Sequence, residues 1–184
     1  MNIPNSVKKI ENFAFSGCNE MKTISFGNSI ETIGNNSFSN CHSLKKIKLP
    51  NSLIILDDYS FMNCYNLEDI IFSNSLLKIG KHSFSSCNSL KSIDIPNSVT
   101  FIDEKSFYNS SLKIIKLGDS ISTIGKYSFG NCSQLTEISF EGSINPLQCD
   151  KTIIEHSKSI SKIKVNQYYV DDQFCEIEID KQKK

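Results

Sequence analysis

Along Phe38-Ser39-Asn40-Cys41-His42-Ser43-Leu44-Lys45-Lys46-Ile47-Lys48-Leu49-Pro50-Asn51-Ser52-Leu53 the apolar period changes twice, and each change marks a different local structure. Phe38, Cys41 and Leu44 step by three, the spacing of one tight 3₁₀ or α turn too short to stand as a helix by itself. Ile47 and Leu49 alternate at period two, which is a short strand. Pro50-Asn51-Ser52 supplies turn chemistry: a fixed φ and side chains that hydrogen-bond nearby backbone. A second extended segment leaves the turn, with inward residues three apart as in Val7-x-x-Ile10, Ile30-x-x-Ile33 and Val99-x-x-Ile102.

The same order recurs along the chain. Phenylalanine stands at Phe15, Phe38, Phe61, Phe84 and Phe107 with a period of 23 residues, and at Phe129 after 22. Cysteine follows three residues later at Cys18, Cys41, Cys64, Cys87 and Cys132. The fifth copy, Phe107-Tyr108-Asn109-Ser110-Ser111-Leu112, is one residue short and lacks the cysteine, so both irregularities are one deletion. The turn returns as Pro4-Asn5-Ser6, Gly27-Asn28-Ser29, Ser73-Asn74-Ser75, Pro96-Asn97-Ser98 and Gly118-Asp119-Ser120, and six units fill about residues 3 to 140.

Such a unit folds only in an array. Its few inward side chains do not offset the cost of ordering its backbone, about 1–2 kcal/mol per residue, until a neighbour covers both its faces. The pattern predicts an α/β solenoid, mostly β with short 3₁₀ or helical turns. Its stacked strands pair about 4.8 Å apart into one parallel sheet on one face.

Composition narrows the function. The 184 residues carry 20 Lys+Arg and 20 Asp+Glu, and every basic residue is lysine. Without a guanidinium fork or a net positive field, nucleic-acid binding is not expected. No stretch approaches the 18 apolar residues of a membrane span, and the N-terminus has neither the basic nor the apolar region of a signal peptide.

A 23-residue repeat built from Ile3-Pro4-Asn5-Ser6-Val7, Ala14-Phe15-Ser16-Gly17-Cys18, Leu49-Pro50-Asn51-Ser52-Leu53 and Ile95-Pro96-Asn97-Ser98-Val99 resembles the BspA-like leucine-rich repeat family of surface antigens. The resemblance covers about three quarters of the chain. It implies a right-handed leucine-rich-repeat solenoid and a role in adhesion or other protein contacts at a cell surface.

The two ends read differently. Residues 1–141 are expected to form the repeat array and 142–184 a divergent last coil with a C-terminal cap, in which Ile160-x-x-Ile163-x-Val165 repeats the strand signature. The last lysines read as a solvated tail. The first coil has no polar cap and would leave Phe13, Phe15 and Ile24 at an open end, so either a longer array or end-to-end association with a partner is expected.

Little catalytic chemistry is legible. The repeat cysteines form a straight column, which cannot surround a zinc ion tetrahedrally. Cys149 and Cys175 lie outside it, as a disulfide or as free thiols. His42, His82 and His156 occupy different coil positions, and no nucleophile elbow or phosphate loop is present. No enzyme activity, cofactor or metal is expected. The sequons at Asn35, Asn109 and Asn131 are those that chance gives an Asn- and Ser-rich chain.

Two surfaces are candidate protein-binding sites. The outward strand positions include Lys46, Lys48, Asp69, Ile71, Asp94 and Lys116, a mixed-charge face. On the return segment, Ile54, Ile55, Leu77 and Phe101 stand where other coils carry polar residues, and if exposed they form an apolar patch of the kind that marks a contact surface. The reading is a non-enzymatic protein-interaction module, with an intracellular scaffold or self-associating array as the alternative.

Overall fold

The computed structural model describes residues 1–179, so the terminal lysine tail lies outside the described residues. The chain winds as a stack of coils, each named here by its phenylalanine, from coil one at Phe15 to coil six at Phe129. The strands are β1 (Lys9–Ile10), β2 (Thr32–Ile33), β3 (Lys46–Lys48), β4 (Ile55–Leu56), β5 (Asp69–Ile71), β6 (Lys78–Ile79) and β7 (Ser92–Ile95). They continue as β8 (Phe101–Ile102), β9 (Ile114–Leu117), β10 (Thr123–Ile124), β11 (Glu137–Phe140), β12 (Lys162–Val165), β13 (Gln173–Phe174) and β14 (Ile177–Glu178).

Two walls carry parallel sheets. On the return wall β1, β2, β4, β6, β8 and β10 pair in sequence, every partner one period away, as in Ile33 with Leu56 and Leu56 with Ile79. On the strand wall the single sheet expected from the sequence is divided. β3 pairs with β5, and β7, β9, β11 and β12 pair in that order, while coil one contributes only the Thr23–Lys46 and Asn2–Ser25 bridges.

A third wall holds the tight turn, and it is not a helix. Its amides alternate between two uses. Ser37, Ser39 and Cys41 donate three residues back, to Gly34, Asn36 and Phe38, whereas Asn36, Phe38 and Asn40 donate to Asp58, Ser60 and Met62 of the next coil. One amide closes the turn and the next ties coils together, so every backbone donor here is used. The geometry requires left-handed residues on both sides of the phenylalanine. Two after it stand Gly17, Asn40, Asn63, Ser86, Asn109 and Asn131, mostly types that tolerate this region. Two before it stand Phe13, Asn36, Tyr59, His82, Lys105 and Tyr127, mostly types that do not.

The core is a file of aromatic rings. Phe15, Phe38, Phe61, Phe84, Phe107 and Phe129 stack with centroids 5.1, 5.0, 5.5, 5.2 and 5.7 Å apart, and from Phe38 onward all are fully buried. Phe13 is 62% exposed because its left-handed position turns it outward, and Ile24 is buried; only Phe15 of the three expected at the open end lies partly uncovered within the core. Close approach between coils also demands glycine: a Cβ on Gly80 would lie 2.6 Å from the Asp57 carbonyl carbon.

Beyond coil six, Asp150 caps a 3₁₀ helix at Lys151–Ile154, and Phe140 packs on Phe174 and, edge to face, on Tyr169. Phe61→Ala is expected to destabilise the array by about 3–5 kcal/mol, the range for a buried aromatic. Phe13→Ala should shift stability by less than about 1 kcal/mol, with both read from denaturant unfolding.

Candidate protein-binding faces

The return wall displays two side chains per coil between its inward residues. In coils one, two and six these are Lys8 and Lys9, Glu31 and Thr32, and Ser122 and Thr123. In coils three and four, Ile54 and Ile55 are each 38% exposed and Leu77 is 47% exposed. Parallel pairing places Ile55 beside Lys78, so the three apolar side chains occupy adjacent rungs. Phe101 is half-buried, and the Lys78 ammonium sits 5.6 Å from its ring centroid. The same ammonium lies 3.5 Å from the Asp103 carboxylate. Beside this patch burial, together with neighbouring Asp58, raises the pKa of the Asp57 carboxyl, against a smaller lowering from Lys78 and Lys9.

On the strand wall Lys46, Lys48, Asp69, Ile71, Asp94 and Lys116 are all exposed. Register sets Lys46 against Asp69 and Asp94 against Lys116, so opposite charges face each other across the strands. Glu137 and Lys164 pair at 2.6 Å. This face is a compensated mosaic; Ile71 and Ile114 are its exposed apolar members. The two groups of candidate residues lie on different walls and form no common site.

The cysteine column has a polar role that the sequence did not reveal. Each buried thiol donates to the carbonyl of the phenylalanine in the preceding coil: Cys41 to Phe15 at 3.2 Å, Cys64 to Phe38 at 3.3 Å, Cys87 to Phe61 at 3.5 Å and Cys132 to Phe107 at 3.4 Å. In the shortened coil the Ser110 hydroxyl stands in the thiol's place but donates within its own coil, to the Phe107 carbonyl at 2.6 Å, and meets the Cys132 sulfur of the next coil at 3.4 Å. Burial raises these thiols, Cys41 to about 11 and Cys87 to about 12. Cys18 alone among the free cysteines is exposed.

Cys149 and Cys175 form a disulfide, which resolves the alternative the sequence left open. The bond joins the loop between β11 and the 3₁₀ helix to the two-residue turn of the β13–β14 hairpin, where Cys175 and Glu176 both have positive φ. Asn145 organises this cap. Its Oδ1 accepts from the Tyr169 hydroxyl at 2.7 Å and the Cys175 amide at 2.9 Å, and its Nδ2 donates to the Gln173 carbonyl. Only the lone asparagine in Ile144-Asn145-Pro146 marked it, and nothing in its spacing distinguished it from the many repeat asparagines.

The histidines are dispersed. His42 stacks on Tyr65, His82 stacks on Tyr59 and meets the Ser85 hydroxyl, and His156 lies beside Glu155. Burial first, then Lys105 and Lys81, lowers the His82 pKa. Among the described residues no three His, Cys, Asp or Glu side chains converge on a point that could hold a metal ion, and no helix is long and apolar enough to cross a membrane.

Native protein treated with iodoacetamide near pH 8 should be alkylated at Cys18 alone, with Cys41, Cys64, Cys87 and Cys132 reacting only after unfolding, as peptide mass spectrometry would read. A thiol pKa raised on folding means that the folded state holds its proton longer. Stability is therefore complete below about pH 9 and falls as pH rises toward the folded values of about 11 and 12 for Cys41 and Cys87. Serine at both positions should flatten that alkaline decline in chemical unfolding at pH 8 to 11.

No curated protein matches the chain. Among solved structures it is similar to a leucine-rich repeat protein from Bacteroides ovatus, with 34% identity and a TM-score of 0.76 over 90% of this chain and 42% of that one. It is also similar to the T. pallidum leucine rich repeat protein, at 26% identity and a TM-score of 0.69 over 90% of this chain and 72% of the other. A leucine rich cell surface protein from Faecalibacterium prausnitzii matches at 26% identity and a TM-score of 0.52, over 73% of this chain and 43% of that one. The chain thus spans less than half the length of the B. ovatus protein. The BspA type leucine rich repeat region matches in six copies across residues 1–110 and 55–173, and the chain belongs to that leucine-rich repeat family.

Proposed function

We propose that this chain is a non-enzymatic protein-interaction module that works at a cell surface in adhesion or as a surface antigen. The observation that carries the reading is the exposure of Ile54, Ile55 and Leu77 on adjacent rungs, where coils one, two and six present polar side chains. Apolar groups held in fixed register by a hydrogen-bonded sheet lose little freedom on binding, so their burial converts efficiently into affinity. A surface location draws its support from a relative described as a cell surface protein and from a disulfide of the kind that persists in oxidising compartments. Non-catalytic action draws its support from the dispersal of His42, His82 and His156 over different coils, each engaged by its own neighbours.

A second reading, a self-associating intracellular array, rests on the first coil, whose outer face leaves Phe13 exposed and Phe15 half-buried. The two separate experimentally. Ile54→Glu with Leu77→Glu should weaken capture of an extracellular partner at least about tenfold, equivalent to 1.4 kcal/mol, with the monomer unchanged in sedimentation. Equal capture by both proteins would remove the patch from the binding surface. Concentration-dependent assembly abolished by Phe15→Asp would favour the array.

A further inference from the structure

The last inward position of each strand segment is either aromatic or aliphatic. It holds Phe26 in coil one, Leu49 in coil two, Phe72 in coil three, Ile95 in coil four, Leu117 in coil five and Phe140 in coil six. Phe26 packs edge to face on Phe38 of the next coil, at 5.8 Å and 85°, and Phe72 packs in the same way on Phe84, at 5.7 Å and 85°. These are the two junctions at which the strand wall is interrupted. Coils one and two lack a strand ladder but keep the Thr23–Lys46 bridge and the Lys45 amide bond to the Lys22 carbonyl at 3.3 Å, whereas neither bridge nor ladder joins β5 to β7.

We infer that Phe72 is a wedge that holds coils three and four apart along the strand wall and makes their junction the hinge of the array. In its own plane a phenyl ring is wider than the aliphatic side chains at the closed junctions, and an edge-on ring sets that full width between the strand and the neighbouring spine ring. The backbone records the result. Glu68 and Asp69 donate to the Lys45 carbonyl, and Lys113 and Ile114 donate to the Lys91 carbonyl. The corresponding bonds from Lys91 and Ser92 to Glu68 are absent among the described residues.

The other walls of the same junction stay bonded. Ile55 pairs with Lys78 and Leu56 with Ile79, and Tyr59 and Phe61 donate to Lys81 and Ser83 at 2.7 and 2.8 Å. A junction open on one wall and fastened on the others flexes about the fastened walls, and its mouth is flanked by Ile71, Asn74, Asp94 and Asn97. Phe140 marks the boundary of the rule. It meets Tyr169 and Phe174 of the cap instead of a spine ring, and β11 pairs with β12 over four residues.

Amide hydrogen exchange on the full chain tests the wedge. Lys91 and Ser92 should exchange at least about tenfold faster than Lys113 and Ile114, because local opening governs exchange. Phe72→Leu should slow Lys91 and Ser92 to the rate of Lys113 and Ile114, and Ile95→Phe should speed Lys113 and Ile114 in turn. Equal rates at the two junctions of the wild type, or folded variants that leave both rates unchanged, would overturn the inference. Should Phe72→Leu fail to fold, Ile95→Phe and the wild-type comparison decide it.

Discussion

Everything in this molecule depends on the face-to-face contact of one phenylalanine with the next. Rings 5.0 to 5.7 Å apart fix the rise between coils, and the rise determines which backbone groups can meet. Because the rings superpose, the amides beside them fall opposite carbonyls of the neighbouring coil, and every second one is drawn into that contact. Burial and hydrogen bonding thus act through a single repeated geometry. Neither suffices alone, since the turn wall would leave half its amides unpaired without the stack, and the stack would slide without the amides.

The thiols belong to the same scheme. A carbonyl has two lone pairs, and the phenylalanine carbonyl uses one for the cysteine amide of its own coil and one for the thiol of the next. A small side chain that is mostly apolar yet can donate weakly suits this place. Larger polar groups would crowd the adjacent ring, and alanine would leave the second lone pair without its donor.

Much of this was legible because identical residues at a fixed period leave little choice of register. The file of phenylalanines, the period-two strands and the turns could be read from Phe38 through Ser52 alone. The divided strand wall could not, because the difference between Phe72 and Leu49 looks like a conservative exchange until the packing partner is known. The left-handed sites before each phenylalanine have no signal in the sequence either, since Phe13, Tyr59 and Lys105 carry no glycine-like signature. Ile54, Ile55 and Leu77 broke the polar pattern of the return segment, but whether they faced water depended on the path of the backbone. Asn145 depended on a cap with no internal repeat to compare it with.

The substitution of a hydroxyl for a thiol in the shortened coil carries a consequence for how such chains change over generations. Each rung draws its polar contacts from its immediate neighbours, and after a residue is lost Ser110 bonds Phe107 within its own rung and meets Cys132 of the next. Whole periods can accordingly be duplicated or excised by recombination between similar segments, and the scar of an imprecise event is absorbed within one rung. Copy number is free to drift while the cross-section of the molecule stays constant.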